Sequence, residues 1–128
     1  MAKMIFSIGG SSGLGWQDFL EVAQTCDELG FDGFYPSDHL GRISDRGPDA
    51  RLDSMTVLAA LAGHTKKLRL GALVMGVLFR PPVITAKIVG AIDHATGGRA
   101  VLGIGAGNVE QEYVSHGYDF PGIRERQE

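Results

Sequence analysis

Three stretches of this sequence hold side chains able to move a proton or seat a flat ligand. Ser37-Asp38-His39-Leu40 sets a carboxylate beside an imidazole. Imidazole titrates near neutral pH, so His39 could take up a proton or return one. Asp38 could orient that ring or stabilise its imidazolium. The plainer alternative is that Asp38 or Ser37 caps a local turn and His39 is polar lining. His64, His94 and His116 follow helices or loops and are expected in solvent. Leu102-Gly103-Ile104-Gly105-Ala106-Gly107 is the second stretch, where glycines would let a flat ligand approach the backbone, or a helix pack tightly. Gly9-Gly10-Ser11-Ser12-Gly13-Leu14-Gly15 is the third, with glycine spacing similar to that by which short-chain dehydrogenases hold a pyrophosphate at a helix N-terminus. Three features oppose that reading. Ile8 precedes it, the second apolar run ends in Tyr-Pro-Ser-Asp-His without a simple ribose-binding acid, and nothing resembling Asn-Asn-Ala-Gly lies on the fourth run. The alternative is a first loop whose glycines permit positive φ.

Four short apolar runs must position these groups. Met4–Ile8 is the first, followed by Trp16, Phe19, Leu20, Ala23 and Cys26 on one helical face and by Gly30 as a C-cap. The second, Gly33–Pro36, leads through a polar loop from Leu40 to about Asp53 into a helix marked by Met55, Leu58, Ala59 and Ala62. The third, Leu68–Val74, is followed by Gly76 and Arg80-Pro81-Pro82, where proline suits a first helical turn. Ile84, Ile88, Ala91, Ile92 and Ala95 continue that helix to Gly97-Gly98. Ala100–Ile104 is the fourth run, and a segment from Phe120 to Arg126 reads as a further helix start. The order is β-α-β-α-β-α-β in units of roughly 30 residues. Continuously apolar runs fit parallel strands buried on both faces. The fold class is α/β.

Composition narrows the function. Of 128 residues, 44% are hydrophobic and 21% charged, enough for one compact domain with a core. Net charge is −3, so the basic surface that nucleic acid requires is not expected. Nineteen glycines, against a usual ~7% of residues, cluster after the apolar runs, where strand-to-helix turns need them. The single cysteine, Cys26, falls on an apolar helical stripe and reads as a buried, reduced thiol. No apolar run approaches the ~20 residues of a membrane span, so neither a membrane nor a secretory route is expected, and the cytoplasm is the default compartment. No metal site is expected.

Taken in order, Ser37-Asp38-His39-Leu40, Leu70–Val77 with Arg80-Pro81-Pro82, and Gly97–Gly107 resemble the luciferase-like monooxygenase superfamily, in the version of its deazaflavin (coenzyme F420)-dependent oxidoreductases. The resemblance runs from the first strand to Phe120-Pro121 and Arg124. It implies a (β/α)8 TIM barrel with chemistry at the C-terminal ends of the strands, a small-molecule substrate and, at full length, a homodimer. It implies His39 and Asp38 as catalytic groups. Leu73, Val74, Gly76, Gly105, Ala106, Gly107 and Asn108 are implied as cofactor-binding, with a non-proline cis peptide at Leu73–Val74 supporting the deazaflavin ring. Two departures matter. Sugar-phosphate dehydrogenases of this kind carry Glu where Asn108 stands, which argues against glucose 6-phosphate as substrate. Flavin luciferases usually show Glu-His-His where this chain has Ser-Asp-His, which favours coenzyme F420 over FMN.

A TIM barrel needs about 250 residues. The chain is therefore expected to be an N-terminal half-barrel of four parallel strands, without the later loops that hold the cofactor phosphate and with unpaired edge strands. Turnover by this half alone is not expected. Besides the deazaflavin enzyme, three readings stand: an FMN-dependent monooxygenase, a Rossmann-fold short-chain dehydrogenase, and an inert fragment or assembly partner. Strand order separates the folds, because a Rossmann sheet runs 3-2-1-4 and a barrel segment 1-2-3-4.

Overall fold

The periodicity of each helical stretch decides which side chains it can bury, and the strands it packs on follow from that. The structure is a computed structural model describing residues 7–9, 14–41, 43–44, 47–48 and 51–127. In chain order these form β1 (Ser7–Gly9), α1 (Trp16–Leu29), β2 (Gly33–Tyr35), β3 (Ile43–Ser44), β4 (Gly47–Pro48), α2 (Ser54–Ala62), β5 (Arg69–Gly71), β6 (Met75–Gly76), α3 (Pro82–Thr96), β7 (Ala100–Val101), β8 (Ile104–Gly105), α4 (Glu110–Ser115) and α5 (Ile123–Gln127). Met4–Phe6 of the first apolar run, Gly10–Gly13 at the centre of the first glycine motif, and Arg42, Asp45, Arg46, Asp49 and Ala50 of the loop between Leu40 and Asp53 lie outside the described residues.

One sheet has the order β1-β2-β5-β7, all parallel, with Ser7 opposite Gly33, Phe34 opposite Leu70, and Leu70 opposite Ala100. This is the chain-order arrangement of a barrel segment, and the 3-2-1-4 order of a Rossmann sheet is not found. The third and fourth runs differ from the continuous strands expected. Each is interrupted, at Ala72–Val74 and at Leu102–Gly103, and resumes as β6 and β8, a separate parallel pair. Backbone bonds from Met75 N–H to Gly103 O and from Val77 N–H to Gly105 O keep the two runs side by side across the break. β3 and β4 form a short antiparallel pair inside the loop read only as polar.

The core lies between the sheet and its helices. Phe19, Ala23 and Cys26 of α1, Met55, Val57, Leu58 and Leu61 of α2, and Ile92 of α3 pack against Phe34, Leu68, Leu70, Ala72 and Met75. Phe19 meets Phe34 edge to face at 6.1 Å. Two predicted faces hold in part, with Met55, Leu58, Ala62, Ile88 and Ile92 against the core as expected. On α2, Val57 and Leu61 are buried and Ala59 is exposed; on α3, Ile92 alone is fully buried and Ile84, Ala91 and Ala95 are exposed. Both helices are apolar nearly all round, so periodicity alone does not choose their inner face. The expectation of strands buried on both faces also fails at the fourth run, where Leu102 and Ile104 are exposed. Of the described helices, α1, α2 and α3 contribute to this core.

Local chemistry sets the element ends. Asp18 accepts from the Gly15 N–H at 2.8 Å at the start of α1, and Gly30 ends it with φ +79°. Asp53 caps α2 by accepting from Thr56 N–H at 2.7 Å. Asp27 accepts from three successive N–H groups, of Lys66, Lys67 and Leu68, at 2.7–2.8 Å, tying α1 to the approach to β5. Arg99 donates to the carbonyls of Ala62, Thr65 and Leu68, closing α2 against the start of β7. Among the described residues no helix is long and apolar enough to cross a membrane.

Candidate functional site

Parallel strands deliver their C-terminal ends to one side, and the chemistry-bearing residues gather there. A cleft of about 300 Å³ is lined by each residue that the resemblance implied as catalytic or cofactor-binding: Asp38, His39, Leu73, Val74, Gly76, Gly105, Ala106, Gly107 and Asn108. Phe79, Glu112 and Tyr113 complete it.

Asp38 leaves the end of β2 and is buried. Its carboxylate accepts from the Ser54 hydroxyl, from Gly76 N–H at 3.1 Å, and from both Arg80 Nη atoms at 2.7 and 3.0 Å. Arg80 also pairs with Asp53 at the head of α2. Burial works against the Arg80 charge, but hydrogen bonds and charges from Asp38 and Asp53 outweigh it and hold the guanidinium protonated more firmly than usual. For Asp53, burial raises the carboxyl, and hydrogen bonds from Thr56 and Arg80 bring it below its ordinary value. This cluster joins β2, α2, β6 and the entry to α3 under the cleft.

His39 stands beside it with a different partner. Its Nδ1 lies 2.8 Å from Glu112 Oε2, and the other carboxylate oxygen, Oε1, accepts from Gly41 N–H at 3.0 Å. Glu112 is 2% exposed, whereas the His39 side chain is 37% exposed. The carboxylate that hydrogen-bonds the imidazole is thus Glu112, where the sequence had suggested Asp38. The arrangement, a half-open imidazole backed by a buried carboxylate, can carry a proton between the cleft and solvent.

Leu73 and Val74, 65% and 41% exposed, present an apolar surface at the break in the third run, and the Leu73–Val74 peptide is cis. Across from them, Gly107 has φ +82°, and a Cβ there would lie 2.3 Å from the Tyr113 hydroxyl. A Cβ on Gly105 would lie 2.6 Å from Val74. Packing within the protein therefore already requires glycine at both places. Tyr113 stacks on Phe79 at 4.5 Å and tilts on Phe120 at 4.9 Å. Burial, then the charges of Glu112 and Asp38, push its hydroxyl above the ordinary value, so it stays neutral. Arg126 lies 3.7 Å over the Phe120 ring and donates to the Ala106 carbonyl at 3.0 Å, fixing α5 to the cleft wall. Asn108 is exposed at the rim.

The remaining histidines are exposed: His64 against Trp16, His94 in the last turn of α3, and His116 with Nδ1 2.8 Å from the Glu112 carbonyl. Glu112 and Tyr113 were missed because α4 is six residues long, too short for periodicity to reveal. Arg80 was noted only as part of Arg-Pro-Pro at a helix start.

Comparison with known proteins gives consistent relatives. The family model described as luciferase-like monooxygenase matches residues 4–128. The 4-hydroxyprotoasukamycin monooxygenase of Streptomyces nodosus subsp. asukaensis is 31% identical over 115 residues, covering 87% of this chain and 29% of that protein. The F420-dependent glucose-6-phosphate dehydrogenase of Intrasporangium calvum is 31% identical over 115 residues, covering 88% of this chain and 34% of that protein. Among solved structures, the coenzyme F420-dependent tetrahydromethanopterin reductase of Methanopyrus kandleri superposes with a TM-score of 0.76 at 25% identity, over 93% of this chain and 31% of that one. The chain thus spans about a third of the length of the proteins it matches.

Proposed function

This chain belongs to the luciferase-like monooxygenase family, and from that membership we propose that it is the N-terminal, four-strand part of a (β/α)8-barrel oxidoreductase that uses coenzyme F420 for hydride transfer on a small organic substrate. The observation that carries the proposal is the pairing, in one cleft, of a half-open His39 backed by buried Glu112 with the exposed apolar pair Leu73 and Val74. A flat, largely apolar ring suits that pair, since an exposed Leu-Val surface flanked by polar groups is what a ring face needs. Gly105, Ala106, Gly107 and Asn108 bound the same space and would line the ring's edge. When bound, a deazaflavin supplies a two-electron hydride acceptor or donor.

The chain's own residues would handle the proton. As hydride leaves a carbinol carbon of the substrate, the hydroxyl proton passes to His39, and the reverse reaction returns it. Glu112 holds the imidazole in place. Asp38 is assigned to support rather than to proton transfer, because its oxygens are engaged by Ser54, Gly76 and Arg80. A homodimeric, cytoplasmic enzyme remains the working expectation for the full-length protein.

The second reading is an FMN-dependent monooxygenase, and the likeness to the Streptomyces monooxygenase supports its reaction class. Spectral titration of the full-length protein with coenzyme F420 and with FMN separates the two. Binding of the deazaflavin and a ~10²–10⁴-fold loss of turnover in His39→Ala are expected. Near wild-type turnover in that variant would reassign the proton to another residue.

A further inference from the structure

Each oxygen of Glu112 has its own donor, and one of those donors has no alternative role. Oε1 accepts from the backbone N–H of Gly41, which can only donate; Oε2 faces Nδ1 of His39, which can donate or accept. Resting on the reading of His39 as the proton carrier, we propose that Glu112 is a positioning residue that locks neutral His39 in its Nδ1–H tautomer. The Nε2 lone pair is thereby left toward the cleft as the acceptor for a substrate hydroxyl proton. A carboxylate has acceptors only, so the short 2.8 Å contact places the proton on Nδ1. Glu112 is buried, and α4, pinned by the stacking of Tyr113 on Phe79, fixes where the carboxylate sits.

The Gly41 bond turns an isosteric change into a directed test. Glutamine at 112 has one carbonyl oxygen and one amide nitrogen. Gly41 N–H needs the oxygen, so the amide NH₂ must face Nδ1 and donate to it. That forces His39 into the opposite, Nε2–H tautomer, with the proton already on the nitrogen that should accept one. Loss of the correct tautomer at a comparable carboxylate-to-amide change in a serine protease triad costs about 10⁴ in turnover.

The experiment is ¹⁵N–¹H long-range correlation NMR of the full-length protein labelled at histidine. It is recorded about two pH units above the ordinary imidazole value of ~6.5, with His39 identified by the signals lost in His39→Gln. In the wild type Nε2 should resonate as an unprotonated nitrogen; in Glu112→Gln it should become the protonated one. A wild-type Nε2–H tautomer, or an even mixture, overturns the proposal even if the variant fails to fold. So does an unchanged Nδ1–H tautomer in Glu112→Gln. In steady-state assays Glu112→Gln should lower kcat by ~10²-fold or more with KM little changed. If Glu112→Gln flips the tautomer while His39→Ala keeps its turnover, Glu112 controls the ring as stated and the catalytic reading of His39 is what fails. If His39→Ala is inactive and a flipped Glu112→Gln is fully active, the positioning role is wrong.

Discussion

Replacing Arg80 by methionine should unfold this protein more readily than any surface change. The Asp38 side chain is 2% exposed and receives two of its four hydrogen bonds from the Arg80 guanidinium, itself 14% exposed. Removing one partner of a buried ion pair typically costs ~3–5 kcal/mol, because the other charge is left uncompensated. Ser54 and Gly76 N–H still donate to Asp38, which moves the expectation to the lower end, about 3 kcal/mol. The second pairing, to a 43%-exposed Asp53, adds no more than ~1 kcal/mol. Urea unfolding followed by circular dichroism reads the loss directly. With slopes of ~1–3 kcal/mol/M, the midpoint should fall by roughly 1–3 M. Arg80→Lys keeps the charge but loses the planar fork and should cost about half as much. Because the penalty is that of an orphaned charge, adding Asp38→Asn to Arg80→Met should cost clearly less than the sum of the two single changes. An Arg80→Met variant within ~0.5 kcal/mol of wild type, or strict additivity in the double mutant, would refute the reasoning.

Two further outcomes follow from the charges and the core. Burial raises the Cys26 thiol above its ordinary value, so the native protein should react with a thiolate-directed alkylating reagent only as fast as it opens; rapid labelling of the folded chain would contradict its burial. For Asp27, burial raises the carboxyl, but the N–H groups of Lys66, Lys67 and Leu68 and the charge of Arg99 outweigh it, so the folded value lies below the unfolded one. The stability it contributes is therefore present above the unfolded value of ~3.9 and lost as pH falls through the folded value. Asp27→Asn should flatten the acid limb of urea melts below about pH 4 while leaving the slope between pH 6 and 8 unchanged.

Strand order was legible because short apolar runs punctuated by glycine and helical periodicity leave few topologies for a repeating β-α unit. What periodicity could not supply was the full inner face of α2 and α3. Where Val57, Ala59, Leu61, Val83, Ile84 and Ile88 are all apolar, sequence offers several equivalent stripes, and only packing against Leu70 and Met75 selects one. The breaks at Ala72–Val74 and Leu102–Gly103 were hidden for a related reason. An apolar run reads the same whether its backbone ladder continues or is interrupted, and the interruption appears only in which neighbour each N–H finds.

The proton-handling pair shows a deeper limit. Adjacency made Asp38 the natural partner for His39, yet successive side chains of a chain leaving an extended strand point to opposite sides. A carboxylate one residue away is thus poorly placed to orient the ring, and Asp38 accordingly turns to Ser54 and Arg80. The orienting group has to come from another element, here 73 residues further along on a six-residue helix. Nothing local ties that helix to His39. What places it is Gly107, which takes positive φ after β8 and leaves room for the Tyr113 ring, and Phe79, against which that ring stacks. Tyr113 is fixed by packing, and Glu112, its neighbour in the chain, is thereby carried to His39. The glycine stretch first read as room for a ligand is thus also what lets the acid reach the base.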